Sequence, residues 1–416
     1  MNYFDQNDER IKSDILTLAE MINKEAEGFT RRPFTKWYAQ SREWLAEEMG
    51  KSGLDVQIDA ASNLIGRLEG SNKELPPIMI GSHTDTVTGG GRFDGIIGVL
   101  AGIEIARQLK EKGITLEHTL LIVDFTAEEP SEFGISTIGS RGMVDNLTDE
   151  MLNRTDPNGL KLSEGIKIAG GRPGDISKEA LKSGDISLYL ELHIEQGPVL
   201  EQTNNDLGIV TGIVGIQRYR ITVNGQPNHA GTTPMNMRFD ALTGAAELIL
   251  EVEKVAKKSY KEQVVGTVGR LFVEPNGSNV VPGKVVFDVE LRSLSTSTID
   301  QMVEQIISKI KDTEINRNLS VSIDKLSQSE PIFVNEDILK GIEEGCEDVG
   351  KAILLPSGAG HDANQIARIA PIGMIFVPSK DGKSHCPEEW TEYSQVTKGV
   401  CALGNALLYF DKKQSN

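Results

Sequence analysis

The sequence predicts an α/β protein whose mixed, largely parallel sheet is interrupted by an inserted α+β domain. Three observations predict it. Short continuous apolar runs, at residues 78–80, 119–125 and 372–377, suit parallel strands buried on both faces. Strand-like and helix-like segments alternate up to about residue 212 and again after about residue 330, as βαβ units do. Between those limits, residues 218–225, 264–272 and 284–292 alternate apolar with polar, the pattern of half-exposed antiparallel strands.

In order along the chain, residues 8–28 and 34–50 read as amphipathic helices, with Trp37, Trp44 and Leu45 facing a core. Strands follow at 55–58 and 63–68. The run at 78–80 enters a loop, 81–95, that leads into a helix ending near 111. The strand at 119–125 ends in Thr126-Ala127-Glu128-Glu129-Pro130. Residues 147–185 read as irregular structure with short helices, and the strand at 187–192 runs into His193. Helices at about 238–259 and 297–313 lie among the alternating strands, giving a sheet of about four strands. After residue 330 the elements are a helix at 335–349, strands at 351–354 and 372–377, and helices at 362–369 and 391–410. The expected organisation is a discontinuous domain, 1–212 with 330–416, and an insert, 213–329. The outermost strand of the insert could pair with a second copy, so a homodimer is expected.

Composition bounds the function. At 416 residues there is core enough for more than one domain. Hydrophobic content of 38% and charged content of 25% are those of an ordinary soluble protein. No apolar run approaches the roughly 20 residues that span a bilayer, so no membrane partner is expected. The acidic start, Asp5 to Glu9, is unlike a signal peptide, and three cysteines do not make a disulfide framework; a cytoplasmic setting fits. A net charge of -18 repels phosphates and argues against nucleic acid.

The chemistry concentrates in the loop 81–95, which packs His83, Asp85 and Asp94 among glycines between a strand and a helix. Open α/β sheets bind ligands there, beyond the carboxyl ends of their strands. The chain has six histidines; five lie in loop-like settings, and only His118 sits in a plain surface-like stretch. The strand ends supply His83 with Asp94, Glu128 with Glu129, His193 and, farther on, His385. Nitrogen and oxygen ligands of this kind suit Zn²⁺, Mn²⁺ or Co²⁺. With Asp94 bridging, His83 and His193 complete one ion, and Glu129 and His385 the other. Each ion keeps an open position, as catalytic sites do. Two ions so placed can activate water and polarise a carbonyl. Glu128 is then free to move protons, and the Asp85 carboxylate can accept the second N–H of His83 and fix its tautomer.

With those residues in hand, the chain resembles the metallopeptidase-related (M20-type) amidohydrolases. The resemblance is to the branch of N-carbamoyl-L-amino acid hydrolases, β-ureidopropionases and allantoate amidohydrolases. It rests on GSHTDTVTGGGRFDG (81–95), AEEPSEFG (127–134), LHIEQGPVLE (192–201), NHAGTTPM (228–235), SNVVPG (278–283), LPSGAGHDA (355–363) and SHCPEEW (384–390). His193, where related peptidases carry a carboxylate, points to this branch. The resemblance implies two divalent ions per subunit on the five ligands above, Zn²⁺ first and Mn²⁺ or Co²⁺ as alternatives, with Glu128 as acid/base. It implies a dimerisation or lid role for the insert and a cis peptide after Asp94. It also implies substrate residues. His229 and Asn279 would hold the substrate and its developing oxyanion, and Arg292 its carboxylate. Gln196, Gly360 and His361 would line the pocket.

One departure stands out. Many members, the allantoate enzymes among them, have Glu-Glu-Gly-Ser-Arg-Phe where this chain has Glu128-Glu129-Pro130-Ser131-Glu132-Phe133. An Arg lost and a Glu gained beside the metals would alter the local field and favour the carbamoylase-like group. The expected reaction is hydrolysis of a linear carbamoyl or ureido C–N bond, as in an N-carbamoyl-L-amino acid. The alternatives are allantoate hydrolysis, an aminoacylase or dipeptidase activity, and a non-catalytic binding relative.

Overall fold

The computed structural model describes residues 2–259 and 264–413. The chain divides into two compact units. The first comprises Met1–Thr211, Val334–Leu355 and Ala359–Asn416; the second comprises Gly212–Phe333 with Pro356–Gly358. The three residues Pro356–Gly358 thus group with the second unit although they lie outside the segment 213–329.

The strands, in chain order, are β1 (Asp55–Ile58), β2 (Leu64–Leu68), β3 (Ile78–His83), β4 (Leu120–Phe125), β5 (Leu188–Ile194), β6 (Leu207–Ile213), β7 (Gly215–Asn224) and β8 (Asn228–His229). They continue with β9 (Val265–Glu274), β10 (Val280–Val281), β11 (Lys284–Ser293), β12 (Ser320–Ser329), β13 (Ile332–Phe333), β14 (Ala352–Ser357) and β15 (Ile372–Val377). The first unit is built on the order β1-β2-β4-β3-β5-β15-β6. Its centre, β4-β3-β5-β15, is parallel, and the β1–β2, β2–β4 and β15–β6 pairs are antiparallel. Every residue of β3, β4, β5 and β15 is buried. Burial on both faces explains their largely apolar sequences, and the acidic members Asp124 and Glu191 are buried with hydroxyl partners, Thr84 for the first and Ser82 and Tyr189 for the second.

Helices Ile96–Lys112 and Tyr393–Lys413 cover this sheet, each with a mostly buried sequence. A side chain on Gly98 would place Cβ 2.5 Å from the Leu192 carbonyl oxygen and 2.6 Å from Ser82 Cβ, so the first helix lies almost on the backbone of the sheet. The N-terminal helix is Asp8–Glu20, shorter than the 8–28 expected. Buried Arg31 ends it: its guanidinium donates to the Leu18 carbonyl at 2.7 Å and the Met21 carbonyl at 3.3 Å. Carbonyls that would have continued the helix are thereby satisfied. In helix Lys36–Lys51 the core face is Tyr38, Leu45 and Met49; Trp37 and Trp44 are only half-buried, contrary to the expectation for them. His118 is also a correction. It is buried, and its Nδ1 lies 2.6 Å from the Pro76 carbonyl.

The second unit is a four-stranded antiparallel sheet of order β12-β7-β11-β9 with helices Ala241–Lys258 and Thr296–Arg317. Along β11, Val285, Phe287, Val289 and Leu291 are buried while the residues between them are half-exposed. Their inward row meets Leu248, Val252, Met302 and Ile306 in one cluster. The short β8 pairs with β10. Among the described residues no helix is long and apolar enough to cross a membrane, and all three cysteines are free.

The close approach at Gly98 gives a direct check. Gly98→Ala is expected to cost about 1–3 kcal/mol by overpacking, seen as a lower urea midpoint at unchanged slope. An unshifted midpoint would mean that helix and sheet can separate freely.

Candidate metal centre

The parallel register sets up the site. His83 at the end of β3 lies level with Phe125 at the end of β4, and His193 near the end of β5 lies level with Phe376 of β15. His83, His193 and the Glu128–Glu129 segment therefore leave the sheet along one edge. Asp94 returns to that edge because the loop doubles back through Gly95, whose φ is 69°. A Cβ on Gly95 would sit 2.3 Å from His83 Nε2, so glycine is required there. The cis peptide expected after Asp94 is not found. Among the described residues the cis bond is Glu274–Pro275. The chain turns at Gly95, whose φ is positive.

Two donor groups result, each with ligand atoms within 4.8 Å of one another: His83, Asp94 and His193, and Asp94, Glu129 and His385. Asp94 belongs to both. Its Oδ1 lies 3.1 Å from His193 Nε2 and its Oδ2 lies 3.0 Å from His385 Nε2, which in turn lies 3.1 Å from Glu129 Oε1. Each oxygen of one carboxylate thus faces a different imidazole. His83 and His193 are deeply buried, whereas the His385 side chain keeps 47% exposure, so the site opens on that side. Gln196 Nε2 donates to Asp94 Oδ2 at 3.1 Å.

The tautomers follow from the backbone. His83 Nδ1 faces the Asp85 carbonyl at 3.0 Å and His193 Nδ1 faces the Ile194 carbonyl at 2.9 Å. Carbonyls only accept, so Nδ1 carries the proton and Nε2 turns inward as the ligand atom. The same His83 Nδ1 lies 3.6 Å from Asp85 Oδ1, farther than the carbonyl. The carboxylate accepts from the backbone N–H of Glu128 at 3.1 Å and of Glu129 at 3.2 Å. Two successive N–H donors match its two oxygens, and the pair fixes the strand-end segment that bears both glutamates.

Charge is concentrated here. Burial, then the Asp362, Glu129, Asp85 and Asp94 carboxylates, holds Glu128 well above the usual carboxylate range. Burial pushes the Asp85 carboxyl up to about 6. Burial lowers the His193 ring, but the Asp94 carboxylate outweighs it and lifts it to about 9. Hydrogen bonds to Asp94 and Glu129 raise His385 to about 11. Burial opposes ionisation of Asp94, yet its two imidazole partners hold it well below the carboxylate range. The carboxylates thus draw the His193 and His385 rings toward their charged forms. The donor set is imidazole and carboxylate, with one carboxylate shared, and it fits two borderline divalent ions.

Other expected residues lie in different places. His361 is buried with its ring 4.7 Å from that of His193, and Gly360 is exposed. His229, Asn279 and Arg292 belong to the second unit. There β8 pairs His229 with Val280, and the Ala230 N–H donates to the Asn279 carbonyl at 2.9 Å, so His229 and Asn279 are neighbours. Arg292 is engaged, its guanidinium donating to Glu290 at 2.7 Å and to the Gly358 carbonyl at 2.7 Å. Glu132, the departure noted above, meets Arg32 at 2.8 Å, and the same guanidinium donates to the Thr86 and Pro130 carbonyls. The acidic substitution is thus compensated by an Arg from another segment.

Sequence reasoning missed Glu191. It forms a third donor group with His193 and His361 and accepts from the Ser82 hydroxyl at 2.9 Å and the Tyr189 hydroxyl at 2.8 Å. Its spacing was a usable signal, because residues two apart on a strand share a face.

Comparison with known proteins identifies the family. Residues 79–409 match peptidase family M20/M25/M40. The chain is 40% identical to an N-carbamoyl-L-amino acid amidohydrolase of Geobacillus stearothermophilus over 402 residues, covering 96% of this chain and 97% of the relative. It is 35% identical to an allantoate amidohydrolase of Bacillus subtilis, covering 91% and 92%. A crystal structure of an amidase of the hydantoinase/carbamoylase family from Burkholderia multivorans superposes with a TM-score of 0.90 at 31% identity, covering 97% of both chains. Since the match spans the strand ends that carry both donor groups, the chain belongs to peptidase family M20/M25/M40.

Proposed function

We propose that this protein hydrolyses the C–N bond of a linear carbamoyl or ureido group. The preferred substrate is an N-carbamoyl-L-amino acid, which with one water gives the amino acid, ammonia and carbon dioxide. The observation that carries the reading is the shared Asp94 carboxylate, set between two donor groups with Glu128 alongside, 3.7 Å from His83 Nε2. The amidohydrolase names of the similar proteins support the substrate class.

His83, Asp94 and His193 would hold one divalent ion, and Asp94, Glu129 and His385 the other, with zinc first and manganese or cobalt as alternatives. Bound there, the ions would supply Lewis acidity and make water nucleophilic at neutral pH. Glu128, buried beside the donor groups, would take a proton from the attacking water and deliver it to the departing nitrogen. His229 and Asn279 hold the substrate carbonyl oxygen as charge develops on it. Arg292 exchanges Glu290 for the substrate carboxylate, which suits its planar fork. Gln196, Gly360 and His361 line the pocket. In this reading the second unit acts as a lid, and the protein works in the cytoplasm as a homodimer formed through an outer strand, β9 or β12, of the second sheet.

The second reading is allantoate hydrolysis, favoured by the 35% identity to the Bacillus subtilis enzyme. Ammonia release from allantoate and from a panel of N-carbamoyl-L-amino acids, measured side by side, separates the two. The proposal expects the higher kcat/KM on a carbamoyl amino acid; ammonia from allantoate alone would replace it with the alternative, and no ammonia from either would overturn the substrate class.

Two further outcomes are expected. Dialysis against a chelator should abolish turnover, and Zn²⁺, Mn²⁺ or Co²⁺ should restore it; full activity in metal-free protein contradicts the site. Glu128→Gln should retain two ions per chain by elemental analysis and lose about 10²–10⁴-fold in kcat. Turnover at the parent rate would remove Glu128 from the chemistry.

A further inference from the structure

Glu389 lies four residues beyond His385 and is almost fully buried, 2% exposed. Its Oε1 accepts from the backbone N–H of Phe93 at 2.9 Å and of Asp94 at 3.1 Å. Its Oε2 lies 3.0 Å from the Ser384 hydroxyl, which also lies 3.2 Å from Asp94 Oδ2. One carboxylate therefore ties together the loop that presents Asp94 and the loop that presents His385. The two segments also meet through their aromatic neighbours. Phe93 packs edge-on against Trp390 with ring centroids 5.4 Å apart, and the Arg92 guanidinium lies 5.4 Å from the Trp390 ring. The fit leaves no slack at Gly91, where a Cβ would come within 2.1 Å of Glu389 Oε1. A buried carboxylate is costly unless its oxygens are satisfied. Here the satisfaction comes from the backbone of the residue that both donor groups share.

We propose that Glu389 is a positioning residue for the metal centre. By holding the Phe93 and Asp94 N–H groups on a single oxygen, it fixes the Asp94 carboxylate at the distance from His385 that both ions require. This rests on the two-ion reading above.

The test compares Zn²⁺ dissociation constants, measured by competition with a chromophoric chelator on metal-stripped full-length protein, alongside the thermal midpoint of the metal-free form. Glu389→Gln keeps an oxygen for both N–H groups and can donate to Ser384, so its affinities should stay within about threefold of the parent. Glu389→Leu keeps the volume and loses the hydrogen bonds; it should weaken binding by about 10–100-fold, the usual cost of removing a group that orients a ligand. Gly91→Ala leaves Glu389 in place but pushes it off its donors, and should weaken binding similarly, whether or not the Leu variant folds. Parent-like affinity in Gly91→Ala overturns the proposal, as does a Gln variant as weak as the Leu variant. A parent protein that binds no metal instead overturns the two-ion reading itself.

Discussion

The Asp94 carboxylate is the constraint on which the rest of the structure depends. Its two oxygens face His193 and His385 at 3.1 Å and 3.0 Å, so it must stand where two loops from opposite ends of the chain meet. Three devices put it there. The parallel sheet delivers His83, His193 and the Glu128–Glu129 segment to one edge. Gly95 turns the chain back on itself against the His83 ring. Glu389 holds the Asp94 backbone from the C-terminal side. Each concerns main-chain placement, which is why the site is built from strand ends and tight loops rather than from a helix face.

That placement has an electrostatic consequence. Asp94, Glu128 and Glu129 share a small, largely buried space, with Asp85 and Asp362 close enough to push Glu128 upward. Uncompensated charge in such a place costs far more than it would in water. The carboxylates draw the His193 and His385 rings toward their charged forms, and divalent ions held by the same groups would offset more of it. The His385 side chain is the exposed member of the cluster. The same negative surroundings keep Glu128 protonated more readily than a free carboxylate, which suits a group that must both take and give a proton.

Much of this was legible in the sequence. Largely apolar runs identified the parallel strands because burial on both faces leaves no polar alternation, and the alternation of β7 and β11 identified the antiparallel sheet for the complementary reason. The five candidate ligands could be singled out because each lies at a strand end or in the loop beyond one. What escaped reading depends on distant partners. The first helix stops at Glu20 because Arg31 folds back onto its carbonyls. His118 is buried by a contact with Pro76. Asp85 sends its carboxylate to the Glu128–Glu129 backbone, a segment that local spacing around His83 does not reveal. Glu132 is expected from its sequence context to change the field at the site, but Arg32, a hundred residues away in sequence, meets it. Glu389 was indistinguishable from a surface acid beside Glu388 until the Asp94 loop was seen against it.

The most direct test of the account is the metal stoichiometry of Asp94→Ala beside the parent, by titration of metal-stripped protein with Zn²⁺. If one carboxylate serves both donor groups, the parent binds two ions per chain and the variant loses both together. A variant that keeps either ion at the parent's affinity would contradict the shared ligand, and with it the organisation of the site.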